Sequence, residues 1–232
     1  MRLIVAIMGL ALLAGCVVPS QPVSLPPQTT AQTEPSARAK QNFLMAVNAM
    51  EPVAEQYCRA LTQYQNCDFQ IAIDDRPSQS PNAFQTLDTQ GRPVLAFNLA
   101  LIANAENVDE LAFVMGHEAA HHIMGHIPQQ QQSASQGAML AGLLIAVSGG
   151  DEAAILKAQQ FGASVGARRF SKGFELEADA LGAELTERAG FDALRGAAYF
   201  DRLPDPGDQF LGSHPPNSAR RATVQKVVNG LR

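Results

Sequence analysis

Residues 116–126 read GHEAAHHIMGH, which places four of the chain's five histidines in one short stretch. The H-E-x-x-H spacing of His117, Glu118 and His121 constrains the backbone more than any other feature, because only in a helix do positions four apart share a face. On such a face two imidazoles can grip one metal ion, zinc being the natural choice for this donor type, while the carboxylate between them reaches a neighbouring water. His122 and His126 are also four apart. At about 100° per residue they fall roughly 140° and 180° around from His117, so a continuous helix makes them helix-face groups or groups behind the ligands. Position 123 is Ile, and that second pair therefore has no base between its members.

A catalytic zinc site takes three protein ligands, so a further donor must come from elsewhere. Outside the cluster only His214 remains among the histidines, which turns attention to carboxylates. The stretch FELEAD, residues 174–179, carries Glu175 and Asp179 four apart on one helical face, with Glu177 turned roughly 200° away from Glu175. An H-E-x-x-H followed about fifty residues later by E-x-E-A-D resembles the zinc metalloproteases that include HtpX and the CAAX prenyl proteases, the gluzincins of metallopeptidase family forty-eight. The segments PNAF, DELAFVMGHEAAH, RRFSKGFELEADALG and SHPPNSARR follow that family's order from about Cys58 onward. The likeness is to its short lipoprotein or periplasmic members, without the flanking spans of HtpX. Lys172, where Arg is common, and Ser213, where Thr is usual, are mild departures.

The resemblance implies a mainly helical α+β fold, a zincin-like metalloprotease domain with a small antiparallel sheet and the H-E-x-x-H helix at its active site. It implies one Zn2+ held by His117, His121 and Glu175, with Glu118 as base. It also makes Asp179 the carboxylate that orients a ligand histidine, since such a partner fixes the ring's tautomer and raises its basicity. His214 is expected near the metal, either assisting catalysis or filling the open position of a latent state. Either His214 or Arg220 can supply charge to an oxyanion.

The first residues, MRLIVAIMGLALLAGC, form an export signal, one basic residue and an apolar run too short to remain as a membrane span. Leu13-Ala14-Gly15-Cys16 resembles a bacterial lipobox, which implies cleavage after residue 15, a diacylglyceryl group on Cys16 and, with Val17 next, sorting to the outer membrane. In an oxidising compartment the remaining Cys58 and Cys67 are then expected to bridge, two separately buried thiols being the alternative. Residues 16–38 are rich in Pro, Gln, Ser and Thr and read as a flexible tether, leaving 39–232 as the peptidase domain. The net charge of −5 argues against nucleic acid as a partner, because phosphate-binding surfaces need a basic excess.

Within the domain, Phe43, Val47, Met50 and Val53 mark a first helix. FQIAID reads as a strand, and AFQTLD and RPVLAFN as a hairpin about TQG, with Asn82, Ala83 and Phe84 at the substrate edge. Asn98–Ala103 suggests a short helix, and Asn107 or Asp109 caps the metal-site helix, expected to run to His126. Pro128 and Gln129–Gln132 read as a loop. Residues 137–147 read as a buried helix, with a membrane-apposed one as the alternative, and further helices are expected over 149–170, 174–190, around 193–203 and after Pro216. The expected function is zinc endopeptidase action on misfolded or unassembled envelope proteins at the periplasmic face of the outer membrane, where the outer-membrane assembly machinery is a possible partner. The alternative is a latent, zinc-bearing, chaperone-like assembly factor.

Overall fold

Ser36 accepts a hydrogen bond from the Ala39 N–H and so opens α1 (Ala37–Leu61). The computed structural model describes residues 34–77, 80–169, 171–205 and 215–231. The expected export signal, Cys16, most of the expected tether and His214 lie outside the described residues. Along α1 the buried Phe43, Ala46, Met50, Ala54 and Cys58 recur at three- and four-residue steps, the stripe by which a helix packs on a core. A disulfide joins Cys58 to Cys67 with their Cα atoms 5.6 Å apart, which turns the chain from the helix end into the first strand.

Three strands follow, β1 (Gln70–Asp74), β2 (Ala83–Leu87) and β3 (Pro93–Asn98), in the order β1-β3-β2. The expected hairpin of β2 and β3 forms in antiparallel register, Ala83 opposite Phe97 and Leu87 opposite Pro93. The sheet is nevertheless mixed and not wholly antiparallel, because β1 pairs with β3 in parallel, Gln70 opposite Val94. Side-chain character accounts for this. β3 buries Leu95, Ala96, Phe97 and Asn98 and takes the centre, whereas Ile73 and Leu87 of its neighbours are more than half exposed. β2 is left at an edge.

Asn98 joins the sheet to the helices: its Oδ1 accepts from Leu101 N–H at 2.8 Å, capping α2 (Leu99–Asn104), and from Asn82 N–H at 3.1 Å. Asn107, one of the two expected caps, opens α3 (Val108–Ile123) by accepting from Glu110 N–H. The Glu110 carboxylate reaches back to Glu106 N–H at 2.8 Å and takes a two-pronged bond from Arg202 at 2.7 and 2.6 Å. Helix α3 is central, packed on α1, the sheet, α6 (Ser171–Arg188) and α7 (Ala193–Gly196).

Three expectations fail beyond α3. The helix stops at Ile123, and Gly125 takes a left-handed φ of 67°, so His126 opens a new helix, α4 (His126–Val147). Pro128 and Gln129–Gln132 then belong to the first turns of α4 and not to a loop. Proline fits there because its missing N–H would have no partner in a helix's first turn. The apolar residues 137–147 are not buried either. Met139, Leu140, Leu143, Leu144 and Val147 are all exposed, because among the described residues α5 (Glu152–Arg169) is the main element packed against this part of the helix. Gly137 of α4 and Gly162 of α5 meet so closely that a Cβ on either would run into the other backbone, and the apolar sides of α4 turned away from this seam have no cover among the described residues. No helix among them is long and apolar enough to cross a membrane. After α7 a 3-10 turn (Ala197–Arg202) leads on, and α8 (Asn217–Leu231) closes the chain against α6.

Candidate metal centre

Two glycines bring the centre together. Gly116 precedes His117 on α3, and Gly182 lies on α6; a Cβ at Gly182 would stand 2.8 Å from His117 N and 3.0 Å from His117 Cα. The absence of side chains there lets the helices approach until the α3 histidines meet the α6 carboxylates. His117 Nε2 and His121 Nε2 stand 3.0 Å apart. The Glu175 carboxylate is 3.6 Å from the first and 3.4 Å from the second. Donors held about 2.0–2.1 Å from a tetrahedral ion stand about 3.3 Å from one another, so this triangle fits zinc. One ligand atom from each of the three residues lies within 4.8 Å of the others.

The surrounding bonds leave the right nitrogens free. His117 Nδ1–H donates to Asp179 Oδ1 at 3.0 Å, which turns Nε2 toward Glu175. Asp179 is fully buried and is clamped in turn by Arg220, Nε donating to Oδ2 at 2.8 Å and Nη2 to Oδ1 at 2.7 Å. The Arg220 guanidinium lies over the Phe200 ring at 3.7 Å. Burial opposes charge on Asp179, but the bonds from His117 and Arg220 outweigh it and hold the carboxyl below its usual range. Burial also lowers His117, yet its bond to Asp179 and the nearby charges of Glu175 and Asp179 leave the metal-free imidazole above its ordinary value. Glu118 is pushed up, foremost by burial, with His117 and His121 pulling the other way.

Glu118 and Glu175 line two adjoining cavities, one toward Gln85 and Ile127, the other toward Asn82, Phe200 and Arg220. The edge strand β2 borders both. Asn98 N–H donates to Asn82 C=O and Asp88 N–H to Arg92 C=O. By the alternation of an antiparallel ladder, the even residues of β2 therefore turn their backbone groups to β3, and Ala83, Gln85 and Leu87 turn theirs to the open edge. The Phe84 backbone thus faces β3, and Phe84 is not among the residues lining these cavities.

The sequence reading placed His122 and His126 together, and the structure separates them. His122 Nε2 meets Asn66 C=O at 2.7 Å and its ring packs edge-on against Phe69, in the core. His126 is carried back by the turn at Gly125 to lie against His121, Nδ1 to Nδ1 at 3.0 Å. Burial and His121 hold it below the usual imidazole value. The pairing of Arg220 with Asp179 was equally unforeseen. Arg220 and Asp179 are 41 residues apart in the chain, and nothing in their spacing signals the contact.

The family model described as Peptidase family M48 matches residues 48–228. The chain belongs to this family. Its relatives include the beta-barrel assembly-enhancing protease of Escherichia coli K12, 30% identical over 146 residues, which cover 57% of this chain and 30% of that protein. A Vibrio cholerae protein carrying the same name provisionally is 33% identical over 129 residues, 53% of this chain and 26% of the relative. The Yersinia pestis protease of that name is 25% identical over 146 residues, again 57% of this chain and 30% of the relative. The chain thus matches less than a third of the length of these curated relatives.

Proposed function

We propose that this M48 chain is a zinc-dependent endopeptidase of the bacterial cell envelope that hydrolyses peptide bonds in misfolded or unassembled envelope proteins. The observation that carries the reading is the meeting of His117 Nε2, His121 Nε2 and the Glu175 carboxylate beside Glu118 in one cleft. Zinc held by these three residues supplies a Lewis acid that polarises a carbonyl and makes water acidic near neutral pH. Glu118 takes the attacking water's proton on its carboxylate and passes it to the departing amine. Its burial favours this task by making the carboxylate a stronger base than an exposed one. Asp179 holds the His117 proton at Nδ1, and Arg220 fixes Asp179, so Arg220 acts here through positioning, and as a lining residue of the cleft it adds positive charge near an oxyanion. An extended substrate lies along β2, hydrogen-bonding the outward backbone groups of Ala83 and Gln85, while Asn82 lines the adjoining cavity.

The lipobox-like residues 13–16 support anchoring through Cys16 at the periplasmic face of the outer membrane, and the names of the relatives support substrates or partners in beta-barrel assembly. His214 is assigned to the cleft, assisting catalysis or closing it, on the family resemblance alone. Degradation of an unfolded protein by the zinc-loaded chain from Val17, beside its Glu118→Gln variant, tests the reading. Cleavage that disappears in the variant while zinc binding persists is the expected result. Equal inactivity of both, with zinc bound, refutes it and leaves a latent binding role, to be probed by His214→Ala.

A further inference from the structure

The α6 helix presents a third carboxylate that the catalytic scheme does not use. Glu177 lies between Glu175 and Asp179 in sequence and about half its side chain is exposed, yet its Oε2 stands 3.2 Å from His126 Nε2. His126 in turn faces His121 Nδ1 at 3.0 Å, on the side of that ring opposite the nitrogen directed at Glu175. The His126 ring is 3% exposed and lies flat on Phe174, with centroids 4.6 Å apart and planes 16° apart. A buried imidazole fixed by stacking on one face and by a polar contact at each nitrogen has a defined orientation.

We infer that His126, backed by Glu177, is a positioning residue for His121, holding that ring with Nε2 presented to the metal. The protons assign themselves in sequence. A ligand nitrogen must be unprotonated, so a neutral His121 bound through Nε2 carries its proton on Nδ1. That proton is donated to His126 Nδ1, which must be bare. The His126 proton then sits on Nε2 and is donated to the Glu177 carboxylate. Each metal-ligand histidine thereby has its own acceptor, Asp179 directly for His117 and Glu177 through His126 for His121, and both acceptors come from α6. The left-handed Gly125 makes the second arm possible, since an uninterrupted α3 would carry His126 to the far side of the helix.

This inference rests on the zinc-site reading, and zinc affinity of the full chain, measured with the metal alone against a chromogenic chelator, separates the two. Wild type is expected to bind one zinc. His126→Ala should weaken binding about 10–100-fold, the range seen when a ligand's hydrogen-bond partner is removed. His126→Asn, whose amide oxygen can stand where Nδ1 stood, should recover part of the loss. Glu177→Ala sits on the surface and tests the relay without disturbing the core; it should weaken binding several-fold in wild type and not at all once His126 is Ala. His122→Ala removes another buried histidine from the same segment and should lower thermal stability with affinity unchanged. With Co2+ in place of zinc, the visible spectrum of His126→Ala should show altered coordination, and kcat should fall more than KM changes. Zinc binding by wild type that is matched by both His126→Ala and Glu177→Ala overturns the inference and leaves the zinc site standing. Absence of zinc binding in wild type overturns both.

Discussion

Gly182→Ala adds one methyl group at the place where α6 touches α3, and its effect can be worked from the distances there. The new Cβ would lie 2.8 Å from His117 N, 3.0 Å from His117 Cα and 3.1 Å from Gly116 C, all backbone atoms that no rotamer change can move. Ordinary carbon contacts begin near 3.5 Å, so the helices must separate by about 0.5–0.7 Å. Glu175 lies seven residues, or about 10.5 Å, up the same face of α6 and moves with it. Metal–ligand distances tolerate about 0.2 Å, so the carboxylate can no longer complete the triangle with both histidines unless it strains its rotamer. Overpacking costs about 1–3 kcal/mol, and exchanging Gly for Ala inside a helix returns up to about 1 kcal/mol. A net loss of about 1 kcal/mol lowers the Tm of a chain this size by about 2–4 °C. Zinc affinity should fall at least tenfold, a larger relative effect than that on folding. The assay is chelator competition for zinc beside thermal unfolding of the metal-free protein. Gly173→Ala serves as reference, because a Cβ there, on the same helix, meets nothing within 4 Å. Zinc affinity in Gly182→Ala equal to that of Gly173→Ala would refute the argument that helix approach sets the site.

Four other outcomes are expected. Arg220→Leu removes both bonds to the buried Asp179, and should cost about 3 kcal/mol in chemical denaturation and lower zinc affinity about tenfold. Arg202→Met leaves the Glu110 carboxylate buried without its cation, an expected loss of about 2–3 kcal/mol in the same assay, with metal affinity unchanged. Reduction of the Cys58–Cys67 bridge, or Cys58→Ser with Cys67→Ser, frees a short loop and should lower stability by about 2–3 kcal/mol. Burial pushes the Tyr199 phenol up to about 12, above the ordinary 10 of the unfolded chain. Its neutral form thus favours the folded state fully below pH 10, and that contribution fades as pH rises from 10 to 12. Denaturation followed across this window should show an alkaline loss that is smaller in Tyr199→Phe.

Local chemistry was legible in the sequence wherever it depended on neighbours along the chain. The cap at Asn107, the hairpin about Gly91 and the four-residue steps of His117–His121 and Glu175–Asp179 follow from helix and turn geometry, and the structure brings those four site residues together. The parallel pairing of β1 with β3 was not legible, since strand direction in the sheet depends on which strand wins the centre. Hydropathy misplaced residues 137–147 because it reports what a segment would prefer to bury, not whether the fold supplies a cover. The role of Gly125 was missed for a related reason. A glycine inside a histidine-rich periodic run fits a helix as well as a break, and the consequence for His126 appears only when the turn is seen in space.

The hairpin of α4 and α5 packs mainly on itself, and among the described residues it reaches the cleft beside the metal centre through His126, Ile127 and Gln130 in the first turns of α4. The three metal-ligand candidates and Glu118 are split between α3 and α6, which approach closely at Gly116 and Gly182. The intervening segment is therefore under little geometric obligation to the chemistry. It can lengthen, shorten or change its surface character in descendants of the same scaffold without rebuilding the centre, and the exposed turn at Ser148–Gly150 is where new chain ends or a foreign domain would be accommodated with least disturbance.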